Sequence, residues 1–105
     1  MKIIKQQILA TVCVGALVLP VAGAHAEADK HARNLSASCA ACHGTDGRSA
    51  GGMPILAGMD KGLFVTAMKD FKSGARPATV MHHHAKGYSD SEFEKLAEFF
   101  AAQKR

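Results

Sequence analysis

Polar and apolar positions change their rhythm several times along these 105 residues. An apolar run from Ile8 to Ala24, broken only by Thr11 and Pro20, follows the basic Lys2 and Lys5. Past it, Ala32, Leu35, Cys39 and Cys42 recur at helical spacing, with Asp29 placed to cap a first helix and Gly44 to stop it. Gly44 to Gly58 carries five glycines and Pro54 and reads as an ordered loop. Asp60 can cap a second helix whose apolar face is Phe64, Ala67, Met68 and Phe71, ending at Ser73-Gly74. Ser89-Asp90-Ser91-Glu92 is a capping box, and Phe93, Leu96, Ala97, Phe100 and Ala101 continue it as a third helix. No segment alternates with period two and no internal repeat is visible. The pattern predicts a small all-α fold of about three main helices.

The opening segment has the form of an export signal. A short basic stretch, an apolar core and the small-x-small Ala24-His25-Ala26 predict a cleaved signal peptide over residues 1–26. The alternative is a membrane anchor, and the shortness of the run with Gly15, Pro20 and Gly23 counts against it. Cys13 leaves with the signal, and the bulky Val12 before it counts against lipid attachment. The expected product is a periplasmic protein with one domain over residues 27–105.

That domain has 79 residues, with 11 Lys+Arg against 9 Asp+Glu once Lys2 and Lys5 are removed, so its net charge is +2. It has no Lys/Arg-rich run, which argues against nucleic acid. With no tryptophan, five phenylalanines and one tyrosine, its own core is marginal. Something other than side chains is expected to fill the middle.

The candidate chemistry lies in Cys39-Ala40-Ala41-Cys42-His43. A thioredoxin-like dithiol needs a strand before the pair and a βαβ unit around it, and the pattern provides neither. Zinc needs four ligands, and only His82, His83 and His84 remain to complete such a set. A plain disulfide leaves the adjacent His43 without a purpose. Covalent haem uses every residue of the motif: two thiols add to the vinyl groups, and the histidine reaches the iron. One haem c also supplies the buried apolar plane the composition lacks. Zinc and dithiol chemistry stay as alternatives.

In order and spacing, "CAACHG", "MPILAGM" and "TVMHHHAKGYSDSEFEKLAEFFAAQ" resemble the small class I cytochromes c, over essentially all of Asp29 to Gln103. The resemblance implies that Met81, on the loop before the last helix, is the sixth iron ligand. It implies that the Pro54 carbonyl accepts from the ring N–H of His43, orienting it, and that Leu56 packs against the haem. Met53 and Met59 flank the proline loop on the His43 side, and Met68 reads as core filler. A histidine from 82–84 in place of Met81 stays open; otherwise these three form a solvated rim.

Within that family, "SCAACHGTDGRSAGGMPILAGM" and "FKSGARPATVMHHHAKGYSD" look like the cytochrome subunit of flavocytochrome c sulfide dehydrogenase. The related diheme cytochromes that feed terminal oxidases usually show a Met-rich loop and a "GLS" cap instead. The implied role is to accept electrons from a partner flavoprotein (FAD) that oxidises sulfide. This chain has one haem motif, so it resembles a single-haem version of that subunit. A free carrier shuttling electrons between periplasmic partners is the alternative from a different class. A sensor or peroxidase-like protein would need a labile sixth ligand. In the first two readings the chain is a one-electron carrier without catalytic residues of its own. His82, His83 and Lys86 form the candidate docking edge.

Overall fold

The computed structural model describes residues 30–105. The expected signal peptide and the Asp29 cap lie outside the described residues. Among those described there is no strand, and the all-α expectation holds.

The first helix is not continuous. Residues 30–36 form α1, a 3-10 turn follows at Ala37–Cys39, and the helix resumes as α2, Ala40–His43. The interruption has a local cause. Ser36 Oγ donates to the Arg33 carbonyl at 2.8 Å, and a serine bonding back to its own helix competes with the backbone ladder and bends it. Gly44, with φ +80°, ends α2.

The second and third expected helices form where their caps stand. In α3, Lys61–Ser73, the Asp60 carboxylate accepts from the Leu63 N–H at 3.0 Å, and left-handed Gly74 closes the helix. In α5, Asp90–Ala101, Ser89 Oγ accepts from the Glu92 N–H and the Glu92 carboxylate accepts from the Ser89 N–H. Between them lies a short helix that the sequence pattern did not indicate, α4, Met81–Lys86. Six residues are too few to show a 3.6-residue period. Val80 at its start offers no side-chain cap. The loop expected to carry Met81 is therefore helical, with Met81 as its first residue.

The core forms where α5 crosses α3. Phe93, Leu96 and Phe100 are sealed from solvent and meet Phe64, Val65 and Met68 of α3. Each such side chain contributes about 1.5–3 kcal/mol by leaving water. The Phe64 and Phe100 rings sit 5.5 Å apart, and Phe99 meets Phe100 edge-on at 5.2 Å. Two polar contacts tie α1 to this pair. The Arg33 guanidinium lies over the Phe99 ring at 5.6 Å, and the Tyr88 hydroxyl donates to the Leu35 carbonyl while bonded to Ser38 Oγ at 2.7 Å.

The glycine loop is folded onto this core by its backbone. The Gly47 carbonyl accepts from the Leu56 and Ala57 N–H groups at 2.9 and 3.2 Å, and the Gly58 N–H donates to the Phe100 carbonyl at 2.8 Å. Gly47 has φ +76°, and a Cβ there would stand 2.7 Å from Leu56 Cβ and 2.9 Å from Phe100 Cδ1. Gly47→Ala should therefore lower the unfolding free energy by about 2–4 kcal/mol, combining backbone strain with overpacking. Gly74→Ala, whose φ is +84° but which meets nothing within 4 Å, should cost only the strain, about 1–2 kcal/mol. Guanidinium denaturation followed by circular dichroism measures both. Equal losses in the two variants would refute the close-approach account.

Candidate functional site

A cavity of about 200 Å³ opens between α2, the glycine loop, α3 and α4, and its lining is almost wholly apolar. Leu56, Phe64, Met68 and Phe71 supply much of that lining. These are also residues of the core or packed against it, so the cavity is the core's open side. It is the missing middle that the composition implies.

All six sequence-selected residues reach this one space: Cys39, Cys42, His43, Pro54, Leu56 and Met81. Both thiols are free, Cys39 half-buried and Cys42 exposed. Burial pushes the Cys39 thiol up from its ordinary value, partly offset by hydrogen bonds from the Ser38 side chain and its own backbone. No group of three or more His, Cys, Asp or Glu side chains among the described residues could hold a metal ion. The zinc alternative thus lacks its donor set there, and the dithiol alternative lacks its strand.

His43 closes α2 and is 7% exposed. Its Nδ1 lies 2.7 Å from the Pro54 carbonyl. A carbonyl only accepts, so Nδ1 carries the proton and Nε2 keeps a bare lone pair. The bond does two things: it satisfies a buried donor, and it fixes the tautomer that leaves a ligand nitrogen on the cavity side.

Met81 is half-buried at the start of α4 and lines the cavity, with Met53, Met59 and Met68 also on its walls. Of the three histidines, His84, one turn after Met81 on α4, lines the same cavity. His82 lines a different cavity, and its ring stacks on His83 at 3.9 Å. His83 and His84 are exposed and His82 is half-buried. The Nδ1 of His82 is shut from solvent and without a partner. Arg76 reaches both cavities.

Four lining residues, Ser38, Arg76, Val80 and Tyr88, escaped the sequence reading. Tyr88 and Ser38 reach the cavity and hold each other across 50 positions. The signal was the lone tyrosine of the chain, in "AKGYSD", placed just before the α5 cap. Nothing in the described residues is long and apolar enough to cross a membrane.

The family model for cytochrome c matches residues 28–104. The chain is 50% identical over 66 residues to the cytochrome subunit of sulfide dehydrogenase from Chlorobaculum tepidum, covering 63% of this chain and 60% of that protein. It is 37% identical over 91 residues to a thiosulfate dehydrogenase electron acceptor from Stutzerimonas stutzeri, with 80% and 42% covered. A cytochrome c4 from Pseudomonas aeruginosa is 39% identical over 83 residues, with 77% and 41% covered. The chain thus spans 60% of the length of the first of these relatives and about two fifths of the others.

Proposed function

This chain belongs to the cytochrome c family, and we propose that it is a periplasmic single-haem electron-transfer protein serving as the electron-accepting subunit of a sulfide-oxidising flavoenzyme. The family's cofactor is covalent haem c, and Cys39-Ala40-Ala41-Cys42-His43 is its attachment sequence. The residues present fit that group: two free thiols, a tautomer-fixed imidazole and an apolar cavity converge. When bound, haem c supplies a one-electron iron centre.

In this proposal Cys39 and Cys42 would anchor the haem through thioethers, and His43 Nε2 would be a ligand to its iron. The Pro54 carbonyl holds the imidazole plane and strengthens its donation. Leu56 would pack against the haem, and the Met81 thioether would supply a second protein ligand to its iron. The single observation that carries the reading is the 2.7 Å bond between His43 Nδ1 and Pro54 beside a cavity that also receives a methionine. A thioether opposite an imidazole raises the potential relative to two imidazoles.

The partner follows from chemistry and from the likeness to the Chlorobaculum tepidum subunit. If the chain's own side chains take both axial positions, sulfide finds no place to bind here. The two-electron oxidation then belongs to a flavin on a second protein, and this chain takes single electrons from it. The basic start and apolar run of residues 1–26 support export to the periplasm.

Three outcomes are expected. Acid-acetone extraction should leave the pigment on the protein, and a Cys39→Ala, Cys42→Ala variant should lose it; colour in the acetone phase, or normal pigment in the variant, would rule out covalent haem. Met81→Ala should remove the near-infrared sulfur-to-iron band of the oxidised protein and lower its potential. If Met81→Ala changes neither while His84→Ala changes both, the histidine is the ligand. Finally, sulfide should reduce the haem only when the flavoprotein is present. Rapid reduction without it defeats the assignment, and failure to bind a flavoprotein at micromolar concentration favours a free carrier.

A further inference from the structure

A second cavity, of about 270 Å³, lies between the end of α3, the segment after it and α4. Its lining contains Lys72, Arg76, Lys86 and His82 and no aspartate or glutamate. Elsewhere four cations are matched, while Lys95, Lys104 and Arg105 join no ion pair found among the described residues. Arg33 and Arg48 meet Asp46, Lys61 meets Glu98 and Lys69 meets Asp90, at 3.2–4.0 Å. Lys72, Arg76 and Lys86 join none of the ion pairs found among the described residues. Lys72 donates to the Tyr88 carbonyl and caps the Phe93 ring, and Arg76 lies over the Phe71 ring. These contacts position the two charges without neutralising them.

His82 adds a directed donor. Its Nδ1 is shut from solvent without a partner. A buried N–H left unpaired is the costlier arrangement, so in the neutral ring the proton belongs on Nε2. The ring then keeps one N–H to donate, with no change of charge, beside the cavity that His82 lines. Three cations and one neutral donor around a space this size suit a compact anion with several acceptor oxygens.

We propose that this second cavity binds a small oxyanion, such as inorganic phosphate or sulfate, through Arg76, Lys86 and His82, with Lys72 adding to the field. The site is separate from the residues assigned to the haem, apart from the shared walls Phe71 and Arg76. Its failure would leave the cytochrome reading intact. A carboxylate of the haem itself has the same chemistry, and the test separates the two sources.

The experiment is calorimetric titration of the haem-loaded protein with inorganic phosphate, then sulfate, at low ionic strength, where charge pairing is least screened. Binding is expected with a dissociation constant on the order of 1 mM. Lys86→Gln, a change on the exposed side of α4, should weaken it about tenfold, as loss of one charge-assisted contact predicts. His82→Phe should weaken it as well, and Lys86→Gln alone decides if that variant fails to fold. Lys69→Gln, on α3 but paired with Asp90, should bind as the wild type does. No binding by the wild type overturns the site. Equal weakening by Lys69→Gln overturns it too, since net charge would then be the cause. Absent phosphate binding together with a shifted reduction potential in Lys86→Gln overturns it in favour of a haem carboxylate as occupant.

Discussion

The hydrogen bond between His43 Nδ1 and the Pro54 carbonyl joins the motif helix to the glycine loop, and the arrangement of the site follows from that joint. One side of it is a helix too short to hold its own position, since α2 has four residues. The other side is a loop held by backbone bonds to Gly47 and Phe100 and by the Arg105 side chain, which donates to the Ala57 carbonyl. Neither part would fix an imidazole alone. Joined, they set the ring's tautomer, its plane and its distance from the thiols in one step. Gly47 makes the joint possible, because a side chain there would push Leu56 away from the Phe100 ring.

This joint also explains why so few aromatic residues suffice. The core proper is a line of contact between α3 and α5, with Phe64, Met68, Phe93, Leu96 and Phe100 at its centre. On one side the line is closed by α1 through Arg33 and Phe99. On the other it is left open as the apolar cavity. The protein thus delegates part of its hydrophobic stabilisation to a cofactor. Folding and loading are coupled by design of the core, because the haem would cover the apolar cavity wall to which Leu56, Phe64 and Met68 contribute.

How much of this was legible depended on whether the signal was local. The α3 and α5 boundaries could be read because Asp60 and the Ser89–Glu92 box announce them within four residues. The thiols and His43 could be read because the motif is contiguous. Three features could not. The 3-10 turn before Cys39 arises from one serine bonding back to its helix, which composition does not reveal. Helix α4 is too short to show a period, so Met81 looked like a loop residue and the three histidines looked equivalent. Once α4 forms, a 100° step per residue sends His82 and His84 to different cavities. Tyr88 was missed because its partners, Leu35 and Ser38, are half the chain away.

The brevity of α4 has a consequence for any bond Met81 makes. A six-residue helix has no stability of its own in water. It is held by packing on α3, by the buried Ala85 and by the Tyr88 hydroxyl clasp just beyond its end. Its place is therefore set by its neighbours rather than by its own ladder. Any bond Met81 makes would depend on α4 keeping its seat on α3. The imidazole side is held differently, by a hydrogen bond to a carbonyl and by its place beside the two thiols. The two faces of the cavity thus rest on different supports, one on the seating of a short helix and the other on a joint between motif and loop.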